Sequence, residues 1–249
     1  MPDSIIETLA VIPARMASTR LPEKPLLKLA GRELILRVLD GVRGASSVDR
    51  IIVATDDERI AAIVRAEGGE AIMTPRDLPT GSDRVAFVAH GIESRFVLNA
   101  QGDDPLVSGA TIDRMIDALK NNCDCGLAVL TKKIDRPDEI ARDSVVKMVY
   151  DRNFRALYFS RSPIPFVRDR GTSADFFKHI GPYAWRREIL FEFASWEQTP
   201  LERAESLEML RILEHGRAVL CVPTDTDSIE IDTPEDIHQF ERYIKEGVF

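Results

Sequence analysis

Arg15, Arg20 and Lys24 crowd one short stretch, Leu9-Ala-Val-Ile-Pro-Ala-Arg15-Met-Ala-Ser-Thr-Arg20-Leu-Pro-Glu-Lys24-Pro-Leu. The apolar run ending at Ile12 reads as a buried strand. Pro13, Pro22 and Pro25 forbid a regular helix after it, so Arg15 to Lys24 must leave the strand's carboxyl end as a shaped loop. Ala14, Ala17 and Ser18 let the backbone approach a ligand closely. Three cations with free amides beside the end of a central strand are what a polyphosphate requires. The spacing is neither GxxxxGK[ST] nor GxGxxG, so the loop is not a standard nucleotide fingerprint.

Two acidic segments could complement those cations. In Gln101-Gly-Asp103-Asp104-Pro, Gly102 is expected to permit a tight turn that aims Asp103 across the sheet edge. In Ile231-Asp232-Thr233-Pro234-Glu235-Asp236, Thr233 reads as an N-cap and Pro234 as the first helical residue. Asp232 precedes the cap and is left open for a ligand. Carboxylates opposite a polyphosphate suggest Mg²⁺ shared between protein and substrate phosphates. The Pro79-Thr80-Gly81-Ser82-Asp83-Arg84 loop opens a helix, where amides and Arg84 could hold an anion or a base edge. Glu202, Glu205 and Glu208 recur every three residues and suggest an acidic stripe for a polyhydroxylated sugar, near His179 and Tyr183 on one strand face.

The elements that must position these groups alternate. Strands are expected at Leu9–Ile12, Arg50–Asp56, Glu70–Thr74 and Phe96–Ala100. Helical faces are carried by Leu34, Ile35, Val38 and Leu39, by Ile60, Ile63 and Val64, by Val85, Val88 and Ala89, and by Ile112, Met115, Ile116 and Leu119. This series predicts an α/β fold, a doubly wound, mostly parallel Rossmann-like sheet. The rhythm then changes to a hairpin, Val145–Tyr150 and Arg155–Phe159, and an ordered loop from Arg161 to Asp175. A strand at His179–Trp185 follows, then helices at Glu188–Ala194 and Leu201–Glu214, a strand at Ala218–Val222 and a last helix from Pro234. A nucleotide-binding core over 1–130 and 217–249 would thus carry an inserted smaller lobe over 131–216, all in one domain without a flexible linker.

The chain has 249 residues with a net charge of −8, which disfavours a nucleic-acid polymer as partner but permits a nucleotide held by a local cluster. Cys123, Cys125 and Cys221 lack metal or disulfide spacing, and the four histidines are scattered, so reduced thiols in a cytoplasm and no zinc site are expected. No leader pattern opens the sequence and no apolar run has membrane-spanning length.

Taken in order, Ile12-Pro-Ala-Arg15 through Lys24-Pro, Gln101-Gly-Asp103, Ala156-Leu-Tyr-Phe-Ser160-Arg161, His179-Ile-Gly-Pro-Tyr183 and Asp232-Thr-Pro-Glu-Asp236 resemble the CMP-Kdo synthetases, the 3-deoxy-manno-octulosonate cytidylyltransferases. The likeness runs from Leu9 to Ile244. It implies a cytoplasmic, Mg²⁺-dependent nucleotidyltransferase of lipopolysaccharide assembly, which converts CTP and Kdo to CMP-Kdo and pyrophosphate, and a homodimer. By matching positions, Arg15, Ser18, Arg20 and Lys24 would grip the triphosphate, and Thr80, Ser82 and Arg84 would border cytosine and sugar. Asp103 and Asp232 would hold the metal, with Lys24 beside them in catalysis. Gln101, His179, Tyr183 and Glu208 would line the sugar pocket. Met209 stands where the family has Gln, Glu230 where it has Gly, and Asp104 where it has Glu. A carboxylate gained at Glu230 would suit an aminated sugar such as the 8-amino-3,8-dideoxy analogue of Kdo, an alternative substrate. An acylneuraminate cytidylyltransferase shares the logic, but Arg161-Ser-Pro-Ile-Pro and the His179 segment follow the Kdo pattern. A non-catalytic nucleotide sensor would not need Asp103 and Asp232 together.

Overall fold

The computed structural model describes residues 6–17, 21–169 and 171–246. In chain order, β1 (Ile6–Ala14) leads through a 3₁₀ turn (Lys24–Leu26) to the short hairpin β2 (Lys28–Leu29) and β3 (Arg32–Glu33). Then come α1 (Leu34–Arg43), β4 (Arg50–Thr55), α2 (Glu58–Ala66), β5 (Glu70–Met73), α3 (Gly81–His90), β6 (Ser94–Asn99) and α4 (Gly109–Asn121). The later half holds β7 (Cys125–Lys133), α5 (Pro137–Ile140), β8 (Lys147–Tyr150), β9 (Ala156–Ser160), β10 (Phe177–Arg186), α6 (Arg187–Ser195), α7 (Pro200–Glu205), α8 (Glu208–Glu214), β11 (Ala218–Pro223) and α9 (Pro234–Glu246). Contacts gather into two compact units, Met1–Asp113 with Ser228–Phe249, and Arg114–Asp227.

In the first unit the strands run in parallel in the order β6, β1, β4, β5. Leu9, Ala10, Val11 and Ile12 have no exposed surface, because β1 has a strand on each side and helices must cover both faces. The helices supply those covers. On α1, Leu34, Ile35, Val38, Leu39 and Val42 are buried, and on α3, Val85, Ala86, Val88 and Ala89 are. Parallel register aligns the carboxyl ends: Ala14 of β1 faces Thr55 of β4, and Val11 faces Asn99 of β6. The loops after those strands therefore leave from one edge, where ligands collect in open parallel sheets. β1 runs two residues beyond the expected Ile12, with Pro13 at register with Ala54.

In the second unit β7 lies between antiparallel β10 and parallel β11, and β8 and β9 form the expected hairpin, turned by Asp151, whose Oδ1 accepts from the Asn153 and Arg155 amides at 2.8 Å each. Sequence reading had no strand at Cys125–Lys133. Its run is buried from Cys125 through Thr131, so it has neither the period of two nor of 3.6 that marks an element. The expected single helix Leu201–Glu214 is two helices. Ser206 sits at φ 53° between them, a left-handed backbone that ends α7.

Gly102 is required for space and not, as expected, for turn geometry. A Cβ there would lie 2.4 Å from the Pro13 carbonyl oxygen, so the loop after β6 packs directly on the end of β1. Gly102→Ala must push those two backbones apart. The expected cost is roughly 1–3 kcal/mol, seen as a lower urea midpoint. An unchanged midpoint would show that the two loops do not depend on this contact.

Candidate active site

Lys24 leaves the first loop in the 3₁₀ turn, held by buried Pro25, and its ammonium meets two acids from distant parts of the chain. Nζ donates to Asp103 Oδ2 at 2.7 Å and to Asp232 Oδ1 at 2.8 Å. The Lys24 side chain is 12% exposed, and the two acids about a third. Burial by itself depresses a lysine, but the charges and hydrogen bonds of Asp103 and Asp232 outweigh it and hold Lys24 above its ordinary value of 10.5. The ammonium therefore stays charged through neutral pH, and its contribution is lost as the pH rises through its raised value.

Each acid is set by its own local chemistry. Asp103 follows Gly102, and its carbonyl accepts from the Ile231 amide at 2.9 Å. Asp232 precedes the cap of α9 as read from the sequence. Asp236 Oδ2 accepts from the Asp232 amide (3.0 Å), the Thr233 amide (2.7 Å) and the Thr233 hydroxyl (2.9 Å), which fixes the backbone and leaves the Asp232 carboxylate to Lys24. Two further acids crowd the same place. Asp104 is buried and accepts from Ser228 Oγ at 2.8 Å and the Leu106 amide at 3.0 Å; burial pushes its carboxyl up to about 6 against those bonds. Glu230 keeps solvent access, although protein mass surrounds it. That surrounding protein and then the charges of Asp103, Asp104 and Asp232 raise its carboxyl, and water reaching the side chain screens part of the effect.

On the same unit, Thr80 caps α3 in a reciprocal box with Asp83, and Ser82 and Arg84 are buried in its first turn. Arg84 is 2% exposed; its Nη1 donates to Thr74 Oγ1 and its Nη2 lies 3.7 Å from Asp56 Oδ2. That Nη2 is enclosed and has no hydrogen-bond partner among the described residues, which leaves a guanidinium N–H unsatisfied. Burial pulls the Arg84 pKa down, with the charge of nearby Arg15 adding to it and Asp56 opposing. Arg15 itself is exposed. Ser18 and Arg20 lie outside the described residues. Asp56 was given no role from sequence, yet it follows β4 at the same edge as the loops of Arg15 and Asp103, and its Oδ1 accepts from the Met16 amide at 3.4 Å.

The second unit holds the remaining expected sugar contacts. His179 and Tyr183 stack with ring centroids 5.5 Å apart, and Phe159 meets His179 edge-on at 5.3 Å. The residue keeps some accessible surface, but its Nε2 is enclosed without a hydrogen-bond partner among the described residues. This enclosure lowers the imidazole to about 4, so the ring is neutral. Glu208 is half-buried at the start of α8, whereas Met209 beside it is 3% exposed and packs in the core. The acidic stripe does not form. Glu202 is buried against Arg211, with Arg211 Nε donating at 2.7 Å, and Glu205 accepts from Ser160 Oγ at 2.7 Å and the Arg161 amide at 2.8 Å. Gln101 belongs to the first unit, between β6 and Asp103, and its carbonyl accepts from the Asp104 amide at 3.3 Å.

Among the described residues no group of three or more His, Cys, Asp or Glu is arranged to enclose a metal. The donor set nevertheless suits a hard divalent cation: two carboxylates already converge on a positive charge. An octahedral ion would complete its shell with phosphate oxygens and water.

A family model described as cytidylyltransferase matches residues 9–230. The 3-deoxy-manno-octulosonate cytidylyltransferase of Trichlorobacter lovleyi is 41% identical over 97% of this chain and all of its own, and that of Geobacter sulfurreducens is 42% identical over 92% and 96%. A solved CMP:2-keto-3-deoxy-manno-octonic acid synthetase, complexed with CTP, superposes with a TM-score of 0.91 at 35% identity, covering 97% of this chain and 99% of that one. A 4-diphosphocytidyl-2C-methyl-D-erythritol synthase from Anaerococcus prevotii shares the fold at a TM-score of 0.65 and 18% identity. The chain therefore belongs to the cytidylyltransferase family, among the 3-deoxy-manno-octulosonate cytidylyltransferases.

Proposed function

We propose that this enzyme transfers the cytidylyl group of CTP to Kdo, giving CMP-Kdo and pyrophosphate for lipopolysaccharide assembly. The convergence of Asp103 and Asp232 on Lys24 carries the reading. A bound Mg²⁺ would lower the pKa of the sugar's anomeric hydroxyl and neutralise charge building on the α-phosphate. The protein's own groups do the rest. Asp103 and Asp232 would hold that cation, and Lys24, released from them, would reach the triphosphate together with Arg15 and Arg20. Arg84, with Nη2 to spare, and the capped turn of Thr80 and Ser82 would border the cytidine and the sugar. Gln101, Tyr183, Glu208 and neutral His179 would orient the sugar hydroxyls. Attack is in line, and no covalent protein intermediate is needed.

Met209 is enclosed, so the amide that the resemblance implies next to Glu208 would have no polar replacement here. The accessible Glu230 lies beside the metal acids, where an amine on the sugar would find a partner. We take Kdo as the substrate, with its 8-amino analogue as the discriminating comparison. The residues 131–216 would serve the sugar and a homodimer contact, in a cytoplasmic protein. Among the described residues no helix is long and apolar enough to cross a membrane.

Pyrophosphate release from CTP and Mg²⁺ is expected with Kdo at a kcat/KM above that for the 8-amino sugar, and the reverse order would reassign the substrate. Asp103→Asn is expected to lose at least about a hundredfold in kcat with an unchanged melting curve; near-normal turnover at saturating Mg²⁺ would contradict the metal role. Lys24→Met should strengthen Mn²⁺ binding to the nucleotide-free protein, because the ammonium no longer competes for the two carboxylates. Weaker Mn²⁺ binding, read by the electron paramagnetic resonance signal of the free ion, would show that Lys24 and the metal do not share them.

A further inference from the structure

The two metal acids lie 129 residues apart in sequence, and the distance between their carboxylates decides whether one ion can touch both. Lys24 bridges them in this structure, and under the proposed function a metal would take its place. Something else must hold the two backbones in register, against repulsion among Asp103, Asp104, Glu230 and Asp232. Asp104 has the position and the bonds for it. Its side chain is 4% exposed, so it is closed off from a ligand. It accepts from Ser228 Oγ at 2.8 Å, from the Leu106 amide at 3.0 Å and from the Ile229 amide. One oxygen thus fastens its own turn, and the carboxylate also reaches across to the extended segment that leads into Asp232. The Ile231 amide adds a rung by donating to the Asp103 carbonyl at 2.9 Å.

We propose that Asp104 and Ser228 are positioning residues, a buried carboxylate–hydroxyl clamp that sets the separation of Asp103 and Asp232 for metal binding. The inference rests on the cytidylyltransferase reading of those two acids. Burying a carboxylate is costly unless its oxygens are filled, and here hydroxyl and amide donors fill them. The clamp touches neither substrate nor metal, so its effect should appear in the metal's affinity while contacts to the nucleotide stay as they are.

The test compares Ser228→Ala, Ser228→Thr and Asp104→Asn with the wild-type enzyme. Mn²⁺ binding is read in the presence of CTP, alongside kcat and KM for CTP at saturating Mg²⁺. Ser228→Ala removes one charge-assisted bond and is expected to weaken Mn²⁺ binding by about three- to tenfold, with KM for CTP unchanged. Ser228→Thr keeps the hydroxyl and should restore wild-type affinity. Asp104→Asn keeps an acceptor for the amides but loses the charge, and should weaken Mn²⁺ binding as well. Wild-type Mn²⁺ affinity in Ser228→Ala and Asp104→Asn overturns the clamp, as does a Ser228→Thr protein as impaired as the alanine variant. A simple loss of stability would lower the melting temperature of the variants without this split. A wild-type enzyme that releases no pyrophosphate from CTP and the sugars would instead refute the functional reading, whatever the Mn²⁺ series shows.

Discussion

Carboxylates repel, and a fold that brings Asp103 and Asp232 within reach of one ion must hold them there. In this protein the opposing force is Lys24, whose ammonium donates to both at hydrogen-bond distance. The geometry is that of a cation site already formed around a protein side chain. Lys24 supplies the counter-charge to the two acids. Under the proposed function the same loop would turn its cations toward a triphosphate once a metal took the place of the ammonium.

The rest of the first unit is arranged to make that meeting possible. Parallel pairing of β6, β1 and β4 sends three loops from one edge. Gly102 lets one of them lie on Pro13, and the cap built by Thr233 and Asp236 fixes the backbone of Asp232. These contacts join protein groups to one another. They place groups to within the tolerance that positioning demands, where an error of about 1 Å is costly.

Much of this was legible in the sequence because its causes are local. The strand ending near Ile12, the prolines after it, the Thr233–Pro234 cap and the helical face of Ile112, Met115, Ile116 and Leu119 are short-range signals, and each is found where expected. What could not be read depended on partners far along the chain. Nothing near Glu202 or Glu205 announces Arg211 or Ser160, so their even spacing suggested a stripe that the structure divides between an ion pair and a loop anchor. The strand Cys125–Lys133 is buried on both faces, which erases the alternation that would reveal it. Gly102 looked like a turn residue, and its true constraint is the carbonyl of Pro13. Ser228 carries no signal of its own, since its meaning depends on Asp104, 124 residues earlier.

Anomalous diffraction from crystals soaked with Mn²⁺ and CTP addresses the central claim most directly. The expected map holds one Mn²⁺ peak about 2.1 Å from oxygens of both Asp103 and Asp232, with Lys24 Nζ moved off them onto phosphate. A peak elsewhere, with Lys24 still bridging the two acids, would contradict the assignment of these residues to metal and nucleotide.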